Sequence, residues 1–333
     1  MKTTSKILVI WPIILLLILS VSSCSWPGKK KQESSEMVVS VEDGLQSTTP
    51  DLADSAAGFG TMGPAPDKNY NQNVASGEKT PVVAVILGPG LNRTAAYVSF
   101  FKIMQKNRVP IHIVSGVEMG AILAAWYAKN QAPAKMEWIF YNFLKESKAL
   151  RPYSGRWLKV VEEIFLLPFK GEQIEGQKIS LIIPLYDKKE RKIKYMNRGD
   201  LYQALSSNLN INNTGDSYGS AIQSEIFNRE SLLKFGADIV VGLDVLGKNP
   251  DFKEQTDFLT GIYGKAAWQM EQDKDKVDML INLPIDNMAM DTQNDLSLNL
   301  QTCEKASEMA SQQILQKIKE WQMKGNVSAG MAQ

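Results

Sequence analysis

The sequence predicts an α/β fold, a mostly parallel central sheet flanked by helices in three layers. Three observations predict it. Val82 to Leu87 is an unbroken apolar, β-branched run, the pattern of a strand buried on both faces of a parallel sheet. Strand and helix patterns then alternate at βαβ spacing as far as Ser147. Between them, Gly116-Val117-Glu118-Met119-Gly120 joins a β-branched strand to an alanine-rich helix, and a sharp turn of this outline needs glycines where Gly116 and Gly120 stand.

The elements follow in order. After the first strand comes Gly88-Pro89-Gly90-Leu91-Asn92-Arg93, then a helix from Thr94 to Gln105 with Ala96, Val98, Phe100, Phe101 and Met104 on its apolar side. A second strand, Pro110 to Ser115, enters the turn, and helix Met119 to Lys129 leaves it. Pro133 to Ser147 and Trp157 to Leu166 read as helices, Ile179 to Leu185 and Lys192 to Met196 as partner strands, and Leu201 to Leu205 as a short helix. Arg229 to Phe235 is a helix closed by Gly236, since glycine suits a left-handed cap. Strands Asp238 to Leu243 and Val277 to Leu283 precede a long helix from Leu300 to Trp321. No internal repeat is visible.

The ends read differently. Lys2 and Lys6 precede an apolar run, Ile7 to Leu19, too short and too early for a spanning helix, so residues 1–23 read as a signal peptide. Val21-Ser22-Ser23-Cys24 resembles a bacterial lipobox, which implies that Cys24 is acylated and anchors the chain in a membrane. The alternative is an ordinary signal peptide with a chance cysteine. By resemblance to Gram-negative lipoproteins, Ser25 implies delivery to the cell envelope at the periplasmic face of the outer membrane. Residues 24–79 are rich in Ser, Gly, Pro, Asp and Asn and cannot bury enough apolar surface to offset their ordering entropy. They read as a disordered tether reaching on the order of 40 Å. Residues 80–323 then form one domain, with 324–333 a tail. Only Cys303 remains besides Cys24, so no intramolecular disulfide is expected. Lys plus Arg number 37 against 36 Asp plus Glu, a balance that does not point to nucleic acid.

Gly88-x-Gly90 after a first strand invites a dinucleotide reading, but Arg93 holds the third glycine's place and the second strand ends without an acid for a ribose. No Gly-Lys-Ser/Thr follows, so a P-loop fails too, and neither cofactor nor metal is expected. The loop instead resembles the G-G-G-x-R-G oxyanion loop of patatin-like phospholipases, with Arg93 matching the arginine. The resemblance extends through Val109-Pro110-Ile111, the elbow and Gly120-Ala121-Ile122. It continues in Ile183-Pro184-Leu185, Arg198-Gly199-Asp200-Leu201 and Gly236-Ala237-Asp238-Ile239-Val240-Val241, covering roughly residues 80 to 322. It implies a patatin-like three-layer fold with a nucleophile elbow, and an acyl hydrolase working through a Ser–Asp dyad.

This sequence departs from that dyad at both members. The elbow tip is Glu118, not serine, and the Asp-Gly motif is absent near Ser220-Ala221-Ile222. Asp216 lies four residues earlier as a possible displaced acid, without the following glycine. Glu118 is a poor substitute nucleophile, because carboxylate attack on an ester gives an anhydride no easier to form than the product. His112 and Ser115 lie on the strand, short of the tip. At a helix N-terminus a carboxylate is favoured by typically ~0.3–1 kcal/mol. The expectation is therefore a self-plugged site: Glu118 bonds to the oxyanion amides of Gly90 and Leu91, with Gly88 in the same loop and Arg93 as counter-ion. Three functions stay open: a silent lipoprotein binding phospholipid, a fatty acyl chain or a protein partner; an acyl hydrolase with an unplaced nucleophile; and an envelope spacer. Aromatic and apolar residues between Trp138 and Phe169, such as Phe140, Phe143, Trp157, Phe165 and Leu167, suit an acyl cleft by resemblance, and plain core by their helical spacing.

Overall fold

A computed structural model describes residues 80–330 apart from 214, 216, 248–249, 251, 253–256, 286–289 and 292–295, and for 325–330 the backbone course alone. The signal, Cys24, the tether and Asp216 lie outside the described residues.

Among the described residues seven strands form one sheet: β1 (Val83–Leu87), β2 (Ile113–Gly116), β3 (Ser180–Asp187), β4 (Lys192–Met196), β5 (Tyr218–Ser220), β6 (Ile239–Asp244) and β7 (Met279–Asn282). Their order is β4-β3-β2-β1-β6-β7, with β5 paired to β3 off that path. Pairs β1–β2, β1–β6, β2–β3 and β6–β7 are parallel, whereas β3–β4 and β3–β5 are antiparallel. The predicted mixed α/β fold with a mainly parallel sheet flanked by helices is thus what forms. β1 is buried along its whole length, as its unbroken apolar run requires.

The helices are α1 (Ala96–Lys106), α2 (Met119–Asn130), α3 (Pro133–Glu146), α4 (Gly155–Val161), α5 (Leu201–Asn208), α6 (Arg229–Leu233), α7 (Asp257–Asp273) and α8 (Leu296–Gly330). Side chains cap several of them. Ser154 accepts from Trp157 N at the start of α4, Asp200 from Gln203 N at α5, and Asn228 from Ser231 N at α6. Pro133 opens α3, where its missing N–H costs nothing. Gly236 has φ +87°, the left-handed conformation its place after α6 demands. Helix α1 packs against α8 and α3, and α2 lies against β1, β2 and β3.

Several boundaries differ from the sequence reading. Leu91–Ala95 forms a 3-10 turn before α1, β2 begins at Ile113 rather than Pro110, and a π turn over Glu162–Leu166 continues α4. Helix α8 runs past Trp321 to Gly330, into residues read as a tail. Strand β5 and the 17-residue α7 had no counterpart in the sequence reading. Phe140, Phe143, Trp157 and Phe165 are core: Phe143 meets Trp157 and Phe165, and Phe140 meets Phe165, at ring separations of 5.0–5.9 Å. Trp138 and Leu167 do not join them and are exposed.

Candidate functional site at the strand-to-helix elbow

The carboxyl ends of β1 and β2 lie side by side, next to the point between β1 and β6 where the strand order reverses. In open α/β sheets this crevice is where ligands bind. Two loops converge there. The first follows β1 and is tied by Gly88 N–H donating to Leu243 O at 3.0 Å and by Tyr97 Oη donating to Gly88 O at 2.9 Å. The second is the elbow after β2, tied by Val117 N–H donating to Leu87 O at 3.0 Å.

The elbow glycines answer to close approach. A Cβ on Gly120 would lie 2.5 Å from Gly88 O and 2.6 Å from Leu87 O, and one on Gly116 would lie 2.5 Å from Gly120 backbone. A Cβ on Gly90 would lie 2.5 Å from Val245 Cγ2. At the tip, Glu118 adopts φ 59°, ψ −128°, a strained conformation for a residue with a side chain, costing on the order of 1–3 kcal/mol. Backbone bonds brace it: Glu118 N–H donates to Asn208 Oδ1 at 2.9 Å, and Asn208 Nδ2 donates to Gly116 O at 3.4 Å. Ser220 Oγ, where the resemblance puts the dyad acid, donates to the same Asn208 Oδ1 at 3.3 Å.

Glu118 is fully buried, and its carboxylate faces the first loop. Oε2 accepts from Gly90 N–H at 3.0 Å and from Leu91 N–H at 3.2 Å. Oε1 accepts from Tyr153 Oη at 2.9 Å, and Tyr153 in turn meets Tyr263 Oη at 3.2 Å. Burial pushes the Glu118 carboxyl above its ordinary value, while the Gly90, Met119 and Leu91 N–H groups and the Tyr153 hydroxyl pull it back down. Burial raises both tyrosines, and the nearby Glu118 charge adds to it, so both phenols stay protonated at neutral pH. Leu91 sits at φ 45° with its side chain buried, a left-handed position where the patatin pattern has glycine.

The structure therefore brings together Gly88, Gly90, Leu91, Gly116, Glu118 and Gly120. It does not make Arg93 the counter-ion. Arg93 is buried, but its Nη1 donates to Leu246 O at 2.7 Å, and among the described residues Glu118 has no cationic partner. Four neutral donors stabilise the carboxylate without an ion pair, in line with the rule that buried polar groups need hydrogen bonds. His112 is remote from the tip: its Nδ1 accepts from Val83 N–H at 3.0 Å, and burial holds its pKa below the usual value. Ser115 is buried inside β2. Asn208, Tyr153 and Tyr263 were invisible to sequence reasoning, because they reach the elbow from 35 or more residues away. A cavity of about 230 Å³ beside Ile174, Leu181, Asn197 and Phe235 shares no residue with the elbow. Among the described residues no group of acids, histidines or cysteines is arranged to hold a metal ion, and no helix is long and apolar enough to cross a membrane.

No family model and no curated protein matches this chain. Among solved structures, it is similar to a chain of the complex of full-length SpcU with full-length ExoU from the type III secretion system of Pseudomonas aeruginosa. There the identity is 14% and the TM-score 0.37, over 72% of this chain and 53% of that one. A second structure of the heterodimeric ExoU–SpcU complex from the same system matches at 12% identity and TM-score 0.36, over 72% and 52%. The chain spans about half the length of the solved chains it matches. Likeness of this size says nothing about substrate or activity.

Proposed function

We propose that this chain is a catalytically silent patatin-like lipoprotein. In this reading acylated Cys24 holds it at the cell envelope, where it binds phospholipid, a fatty acyl chain or a protein partner rather than cleaving esters. The observation that carries the reading is the Glu118 carboxylate, seated 3.0 and 3.2 Å from the Gly90 and Leu91 amides. Acyl-transfer enzymes aim such a pair of donors at the charge developing on a substrate carbonyl. Here the chain's own anion fills the pair. The elbow presents no hydroxyl, and the stretch near Ser220-Ala221-Ile222, where the resemblance would put the dyad acid, carries none. On this reading, neither an activated nucleophile nor an open receptor for the oxyanion remains among the described residues of the elbow.

Reaction of the full-length protein with a serine-directed fluorophosphonate is the direct test. The expected outcome is no labelled serine, together with background hydrolysis of a short-chain nitrophenyl ester. A labelled serine, or ester turnover lost on substituting that serine, would restore the acyl hydrolase reading.

A further inference from the structure

Helix α3 turns Trp138, Tyr141 and Lys145 to solvent along one stripe, at the three- and four-residue spacing that aligns side chains on a helix face. Trp138 is 63% and Tyr141 53% exposed, and their rings stack at 5.9 Å with 19° between planes. Downstream, Lys148, Arg151 and Arg156 are also exposed. None of these three, nor Lys145, has an ion-pair partner among the described residues. From Lys145 to Arg156 the chain carries those four cations against one acid, Glu146, whereas the whole sequence nets only +1. The positive charge is therefore local.

We propose that this α3–α4 face docks on an anionic lipid bilayer. Tryptophan and tyrosine rings settle at the headgroup level, apolar body inward and polar edge outward. Unpaired lysines and arginines beside them gain from the negative surface potential. The cations near the end of α3 also complement its dipole. The dipole explains neither Arg151 and Arg156 nor two exposed rings. Nucleic acid would want a basic groove, and the chain's near-zero net charge offers no wider field for one. The contact is independent of the acyl group on Cys24 and does not require the elbow to be silent.

The test places the full-length protein on vesicles of phosphatidylcholine with phosphatidylglycerol, the phosphatidylcholine brominated in its acyl chains, and on brominated phosphatidylcholine alone. The readout is the quenching lost when Trp138→Phe is compared with the unsubstituted chain, which isolates this ring from the other tryptophans. Bromolipid quenching of Trp138 is expected on the anionic vesicles, fading with added salt. Each cation removed from Lys145, Lys148, Arg151 and Arg156 lowers the vesicle partition constant by about fivefold. All these side chains are exposed, so unchanged circular dichroism keeps the comparison clean. Equal quenching on both vesicle types would overturn the proposal. So would quenching that survives replacing the four cations by glutamine, or a Trp138 shielded from iodide only when a protein partner is added.

Discussion

Residue 118 decides the chemistry of the elbow, and its burial gives it a pH signature. The folded carboxyl binds its proton more tightly than the unfolded one, whose ordinary value is 4.5. Stability from this group is therefore fully present below 4.5 and is lost as pH rises through the higher folded value. His112 works the other way: burial lowers it from 6.5, so its contribution is present above that value and lost as pH falls through the folded one. Comparing Glu118→Gln with the unsubstituted protein cancels the histidine. Relative to the variant, the parent is expected to lose thermal stability as pH rises above the ordinary carboxylate range. A parallel pair of melting curves across that range would refute it. The sequence placed Glu118 against the Gly90 and Leu91 amides, because an elbow and a glycine loop after adjacent parallel strands must face each other. It misassigned the counter-ion. Arg93 and Glu118 looked complementary by charge, but pairing a buried guanidinium depends on which carbonyl lies within its reach, and Leu246 comes from a distant strand end.

Among the elements, strands with unbroken β-branched runs were the easiest to read, and β4 has the bounds expected of it as a partner strand. Helix α7 escaped although Leu259, Ile262, Tyr263, Ala266, Ala267 and Met270 repeat at helical spacing and are buried. Gly261 and Gly264 interrupt the propensity of that stretch, and tertiary packing overrides them. Strand β5 is three residues with a central glycine, too short to carry a period. The two kinds of glycine separate in stability measurements. Gly120→Ala forces a Cβ onto the Gly88 and Leu87 carbonyls and is expected to cost about 1–3 kcal/mol or more. Gly261→Ala meets nothing within 4 Å on an exposed turn of α7 and is expected to stabilise by up to about 1 kcal/mol. Chemical denaturation of both variants checks the contrast, and equal effects would contradict the close approach.

At the scale of the molecule, a parallel sheet was legible from strand–helix alternation, but strand order was not. Only the structure shows β6 on the far side of β1 from β2, and that reversal is what sets the end of β6, with Leu243 and Val245, beside the glycine loop. The ends of the chain remain a reading of sequence, and the lipid anchor is testable there. Expressed in a Gram-negative host, the full-length protein is expected to incorporate palmitate in the membrane fraction and Cys24→Ser to incorporate none; a variant labelled as fully as its parent would dismiss the anchor. The phenol of Tyr153 and the amides of Gly90 and Leu91 converge on a single internal anion. A receptor already occupied by its own side chain has no vacancy to offer a guest. On the proposed silent reading, recognition falls away from the elbow, on an outer face or at the cavity beside Ile174 and Phe235.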